Sequence, residues 1–183
     1  NEYYGQIGQT ASTALSMAAS VTFQATSAMA GLVLEVLRTG GEFEQFGAKL
    51  RSTLGSAAAA EAAMKNAVAY AAQTPFDVRG IVQGTVLLEA FGQRSQKVLP
   101  TVANLAAAFG ERFEEVSLIV GKAMSGSLEG FESLRNRLGV TTLELKRFGA
   151  ETTKQGGIQV LTSQQLDKAR TALERLVAVK YGD

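Results

Sequence analysis

Apolar residues recur at steps of three and four along most of this chain, and glycine or a short polar start signal interrupts them at brief intervals. That spacing belongs to helices, in which i, i+3, i+4 and i+7 share one face. The longest run comes first. Ile7, Ala11, Ala14, Ala18, Val21, Ala25, Ala28 and Leu32 step by alternating four and three, a heptad seam made mostly of alanine. Small seam residues let a second helix approach closely, so this arm carries a candidate self-association seam. No residue from Tyr3 to Leu34 is charged, which raises the alternative of a membrane span. A span needs about twenty predominantly apolar residues. Here Thr10, Ser12, Thr13, Ser16, Ser20 and Thr22, among others, interrupt the run, too many hydroxyls for insertion on hydropathy grounds.

Gly40-Gly41 ends the arm, and a short helix over Phe43–Leu54 follows with Phe43, Phe46 and Leu50 on one side. Gly55-Ser56 opens an alanine-rich helix to about Ala72, with Met64, Val68 and Ala71 facing inward. Thr74-Pro75-Phe76-Asp77 reads as a helix start, with Thr74 as the cap, Pro75 at the first helical position and Asp77 at the capping-box position. That helix carries Val78, Ile81, Thr85 and Leu88 and stops at Phe91-Gly92, so Phe76 and Phe91 are expected on one helix as core residues. Gly80 and Gly84 form a Gly-x-x-x-Gly pair, whose plain meaning in a water-soluble helix is close backbone contact with a neighbour.

Five more helices are expected. One starts near Pro100, turns Val102, Leu105 and Phe109 inward and ends at Gly110. The next starts near Glu111, carries Phe113, Val116, Val120 and Ala123, and breaks at Ser125-Gly126-Ser127. A third carries Leu128, Phe131, Leu134 and Leu138 to Gly139, and a capping box at Thr141–Glu144 leads a fourth to Phe148. Between Ala150 and Leu161, Thr152-Thr153 and Ile158-Gln159-Val160 flank Gly156-Gly157, which is consistent with a small β-hairpin that needs a packing partner. Thr162 with Gln165 caps a last helix with the stripe Leu166, Ala169, Leu173, Leu176 and Val177. The pattern therefore predicts an all-α fold: a bundle of short packed helices with a long N-terminal helical arm and one small hairpin near the C-terminus. Residues 1–55 would form the arm and short helix, and 56–183 a compact helical domain with the hairpin at 150–161.

Composition agrees with helices. Hydrophobic residues make up 46% but aromatics only 7%, and tryptophan is absent, so the core is mostly alanine, leucine and valine, as in packed helices more than β-sandwiches. A length of 183 residues suits one ordinary domain, or a domain with an arm. A formal charge of +1 gives no reason to expect a chain-wide pull toward nucleic acid or anionic membrane, and no specific nucleic-acid recognition is expected. With no cysteine and no histidine, disulfides, thiolate nucleophiles, zinc sites of the usual N/S type and imidazole catalysis are excluded within this sequence. The opening asparagine reads as a sign of a piece of a longer or processed protein, and the basic leading segment of a secretory signal is not seen.

Candidate chemistry is sparse. Glu111, Glu114 and Glu115 cluster at a helix start, where carboxylates meet the helix dipole favourably. Gly121-Lys122 is followed by alanine and lacks the earlier glycine of a phosphate-binding loop. Arg135, Arg137, Lys146 and Arg147 are interleaved with Glu129, Glu132 and Glu144, which reads as a mixed solvated surface. Glu132-Ser133 matches the Glu-Ser pair of lytic transglycosylases, but the Gly-Leu-Met-Gln-like continuation of that family does not follow. No catalytic, metal or cofactor-binding residue is assigned, and no enzyme activity is expected.

One ordered series of motifs does resemble a known family. Ala72-Gln73-Thr74-Pro75-Phe76, the helix ending Phe91-Gly92, Leu99-Pro100-Thr101, Leu105 to Phe109-Gly110, Gly121–Ala123 and Leu138-Gly139-Val140-Thr141 follow one another as in a domain of bacteriophage tail tape measure proteins. The stretch Gly126–Leu134 departs slightly in spacing. The likeness covers about Ser56 to Asp183 and is carried by the order of the motifs. It implies a structural protein of a phage or prophage virion, extended through the tail tube lumen, that sets tail length during assembly. It further implies several copies per tail as a homo-oligomer, and contacts with tail tube protein, tail-tip proteins and tail assembly chaperones. Location in the phage tail is implied, with host cytoplasm during assembly and host inner-membrane contact on infection. The alternative, suggested by the uncharged arm, is a membrane-active helical protein that forms pores or is injected. A single helix of this length would span only about 275 Å, and the glycine stops shorten it further, so the expectation is one compact module rather than the ruler itself.

Overall fold

A computed structural model describes residues 41–182, and among them the regular structure is eight α-helices: α1 Gly41–Leu54, α2 Ala57–Ala71, α3 Val78–Ala90, α4 Ser95–Phe109, α5 Phe113–Met124, α6 Leu128–Leu138, α7 Thr142–Arg147 and α8 Ser163–Tyr181. The seam from Ile7 to Leu32 lies outside the described residues. Gln45–Asp183 gather into one compact unit.

Helices α3 and α5 form the centre of that unit and run parallel. A Cβ added at Gly84 would lie 2.8 Å from the Phe113 ring, near the start of α5, while one at Gly121 would lie 2.6 Å from the ring of Phe91, at the end of α3. Starts therefore face starts and ends face ends. Helix α4 joins them in sequence and touches both; α2 packs on α3, α6 on α5, and α8 on α4 with α7 laid against α8. Helix α5 touches α3, α4, α6 and α8, and its buried residues accordingly go most of the way round: Phe113, Val116, Ile119, Val120, Ala123 and Met124. A helix apolar on nearly every side is a helix at the centre of a core.

The helix ends largely follow their sequence signals. Ser56, Ser127, Thr141 and Thr162 cap α2, α6, α7 and α8, and full capping boxes join Thr141 to Glu144 and Thr162 to Gln165. Gly110 and Gly139, at φ 65° and 56°, end α4 and α6 in the left-handed conformation that glycine adopts without a Cβ clash.

Several expectations are corrected. Thr74 does not cap α3 and Pro75 is not its first residue; the cap is Asp77, whose Oδ1 accepts from the Gly80 N–H at 2.8 Å. The Thr74 amide instead donates to Ala71 O, closing the turn that ends α2, so its backbone is already committed. Phe76 and Phe91 are not on one helix: Phe76 precedes α3 and Phe91 is its C-cap, followed by Gly92 at φ 70°. Helix α4 begins five residues before Pro100, because the Glu89 carboxylate accepts from both the Ser95 amide (2.9 Å) and hydroxyl (2.6 Å) and so starts the helix from outside. Pro100 sits on the exposed side, where water can take the carbonyl that a proline leaves unbonded. Leu128 is 59% exposed and Phe109 36%; neither joins the core, and Phe109 packs edge-on against Tyr181 at 5.5 Å between ring centres. Between Ala150 and Leu161 there is one antiparallel bridge, Thr152 with Ile158.

Candidate functional site

The residues singled out by sequence, Thr74 to Asp77 and Phe91-Gly92, fall at opposite ends of α3, and the structure uses both ends to hold α5. At the first end, Phe76 meets Phe113 edge-on at 5.2 Å. At the other, Phe91 covers Gly121. Between them Gly84 lets α3 approach until a Cβ there would stand 2.4 Å from Ser117 Oγ. Ser117 is fully buried and donates to Phe113 O, so its hydroxyl is satisfied inside its own helix. Thr85, also fully buried, has a hydroxyl without a hydrogen-bond partner, as does Thr74.

A depression of about 370 Å³ opens where the two helix starts meet, lined by Pro75, Phe76, Arg79, Gln83, Arg112 and Glu114 among others. Its carboxylates are already committed. Asp77 holds the Gly80 amide, and the nearly buried Glu114 pairs with Arg112. Glu111, also in the lining, and Glu115 accept from the Arg137 guanidinium of α6, at 3.1 and 2.6 Å. The Arg137 hydrogen bond holds the Glu115 carboxyl below the usual range, which favours a fixed anion over a proton donor. The three-glutamate cluster is thus divided between two arginines and ties α5 to α6. Among the described residues no group of three or more acidic or other ligating side chains could hold a metal ion.

A second depression, about 530 Å³, lies between the end of α7 and the face of α8. Its flank is fixed by ion pairs. Lys180 meets Glu144 at 2.6 Å and Lys168 meets Glu151 at 2.6 Å. The Lys180 hydrogen bond and the Thr141 backbone amide push the Glu144 carboxyl down to about 2. The four basic residues noted in the sequence are not one patch. Arg137 is spent on two glutamates and Arg135 reaches Asn136, whereas Lys146 and Arg147 are exposed just before Phe148 and pair with no carboxylate among the described residues.

Sequence reasoning missed the contact glycines of α5 and α6. Gly130 sits so close to α5 that a Cβ would lie 2.3 Å from the Ala123 amide nitrogen. It missed Arg170 too, which reaches from α8 to cap the Met124 carbonyl at the end of α5. A local signal existed for Gly121, a glycine inside an otherwise regular helix, whereas Gly130 lies in the first turn of α6, where glycine stands out less.

Comparison of the chain with known protein families, curated proteins and solved structures returned no match. What the fold defines is a helical body built on a glycine-packed parallel pair.

Proposed function

We propose that this chain is a structural module of a phage or prophage tail tape measure protein, acting in tail assembly and length determination through helix-mediated contacts. The observation that carries the reading is where the resembling motifs fall. Phe76, Phe91, Gly121 and Leu138 are packing residues, and Gly92, Gly110 and Gly139 are helix ends. A motif series kept for catalysis would converge on one cavity; this one is spread along the helix contacts, as suits a protein that works by holding a shape. Copies of the chain and the tail tube, tail-tip and chaperone proteins are the partners that the reading names, in the virion tail and in the host cytoplasm during assembly.

The test is electron microscopy of tails from a producing strain in which the coding region is removed in frame. Shortened or absent tails are expected. Tails of parental length and full infectivity would refute the proposal.

A further inference from the structure

Charge is unevenly placed. Residues 41–140 carry ten basic and ten acidic side chains, whereas 141–182 carry seven basic and four acidic, a surplus of three. Within that last stretch Glu144 is taken by Lys180, Glu151 by Lys168 and Asp167 by Arg170. Among the described residues, Lys146, Arg147, Lys154 and Arg175 then remain without a carboxylate partner, against Glu174 alone. Positive charge thus accumulates on one layer of the body.

The same layer holds the larger depression. Because Glu144 faces Lys180 and Glu151 faces Lys168, the chain over 144–151 runs antiparallel to α8, and the groove lies between the two. Phe148, Ser163, Asp167, Lys168, Thr171 and Arg175 line it. Ser163 to Arg175 spans roughly 18 Å along α8 at 1.5 Å per residue. Lys146 and Arg147 are exposed immediately before Phe148. The one acid in the lining, Asp167, is held by Arg170 at 3.1 Å.

We propose that this groove binds single-stranded nucleic acid without sequence preference, its cations following the phosphates and the half-buried Phe148 ring offering a stacking face. An open groove running about 18 Å along α8 fits a strand better than a small molecule. A lining of hydroxyls and charges, with one aromatic ring, is the combination that non-specific single-strand binders use. An anionic membrane would call for apolar side chains to insert beside the cations; the groove lining offers Phe148 alone, and the exposed Leu143, Leu161 and Val179 of the same stretch make vesicle capture the competing outcome of the test. The proposal is independent of the tape measure reading, and either can fail alone.

The experiment is fluorescence anisotropy of a labelled oligothymidylate titrated with the full chain across a salt series. Binding at low salt is expected, with log K falling against log salt at a slope of about −2, as for about three phosphates on a single strand. The double change Arg147→Glu with Arg175→Glu should weaken binding by about tenfold or more. Arg135→Glu, an equally exposed reversal on α6, should change it by less than about twofold. Circular dichroism of each variant verifies that the helices persist; if the double variant unfolds, Arg147→Gln with Arg175→Gln replaces it with the same expectation. Absence of binding at low salt overturns the proposal. So does equal weakening by Arg135→Glu, or capture on phosphatidylglycerol vesicles by a chain that ignores the oligonucleotide.

Discussion

Replacing Gly130 with alanine puts a methyl group 2.3 Å from the Ala123 amide nitrogen, 2.6 Å from the Lys122 carbonyl carbon and 2.7 Å from the Ala123 Cα. Carbon atoms pack best at about 3.5–4.0 Å, so the deficit is about an ångström, and the obstacle is the backbone of α5 rather than a side chain that could rotate. Helix α6 must lift. It carries Phe131, Leu134 and Leu138, all buried, and lifting loosens each of them. Overpacking of a dense core costs about 1–3 kcal/mol, sometimes more. Against this, alanine gains about 1 kcal/mol over glycine as a helix former. The steric cost belongs at the upper end of its range, leaving a net loss of about 2 kcal/mol, or a fall in Tm of about 4–8 °C for a unit of this size. Gly47→Ala in α1 is the internal control, since its Cβ would meet nothing nearer than an Arg51 guanidinium nitrogen at 3.7 Å. That change should gain about 0.5–1 kcal/mol. Urea unfolding followed by circular dichroism reads both. If Gly130→Ala is as stable as the parent, or gains as Gly47→Ala does, the backbone-to-backbone crossing of α5 and α6 is wrong.

Two further substitutions test other parts of the core and its straps. Thr85→Val removes a buried hydroxyl without a partner at nearly constant shape, so stability should rise by about 1 kcal/mol; a fall in the urea midpoint would show that the hydroxyl is bonded after all. Glu144 has a folded value near 2, below its ordinary 4.5, so its contribution is full above about pH 5 and is lost as pH falls through the folded value. The whole shift corresponds to about 3 kcal/mol, and solvent screening of the half-exposed Lys180 reduces this to about 1 kcal/mol. The gap in unfolding free energy between the parent and Glu144→Gln should therefore be widest near neutrality and shrink toward pH 2, whereas a gap that does not vary with pH would remove the ion pair from the account.

How much was legible follows from which signals are local. The caps at Thr141 and Thr162 and the stops at Gly110 and Gly139 were readable because a cap is decided within four residues. The start of α4 was not, since Glu89 acts on Ser95 across a turn that no capping pattern describes. Thr74 misled for a related reason. Thr-Pro-x-Asp offers two caps in competition, and the end of α2 had already taken the Thr74 amide. Gly80 and Gly84 announced a close contact but not its partner, because Phe113 and Ser117 lie about thirty residues on in sequence and only the return through α4 brings them alongside. The candidate site suffered most. Whether Arg137 or Arg147 is spent depends on which glutamate each faces, and periodicity within α6 and α7 does not contain that information.

The proposed tail role poses a difficulty for any genetic test, since under it losing the fold and losing the contact would produce the same absent tail. The exposed apolar residues separate the two. Leu128 is 59% and Leu143 61% exposed, so serine at either position removes little buried surface and should change stability by less than about 0.5 kcal/mol. Gly130→Ala, by contrast, leaves the surface chemistry of α6 unchanged while weakening the body. If partners dock on helix faces, Leu128→Ser or Leu143→Ser should impair tail formation at unchanged Tm. Gly130→Ala should impair it only near the temperature at which the body unfolds. Tail yield and calorimetric Tm measured on the same three variants check this. Tail loss that followed Tm alone, with both leucine variants assembling at parental yield, would leave the proposal without a docking surface on α6 or α7.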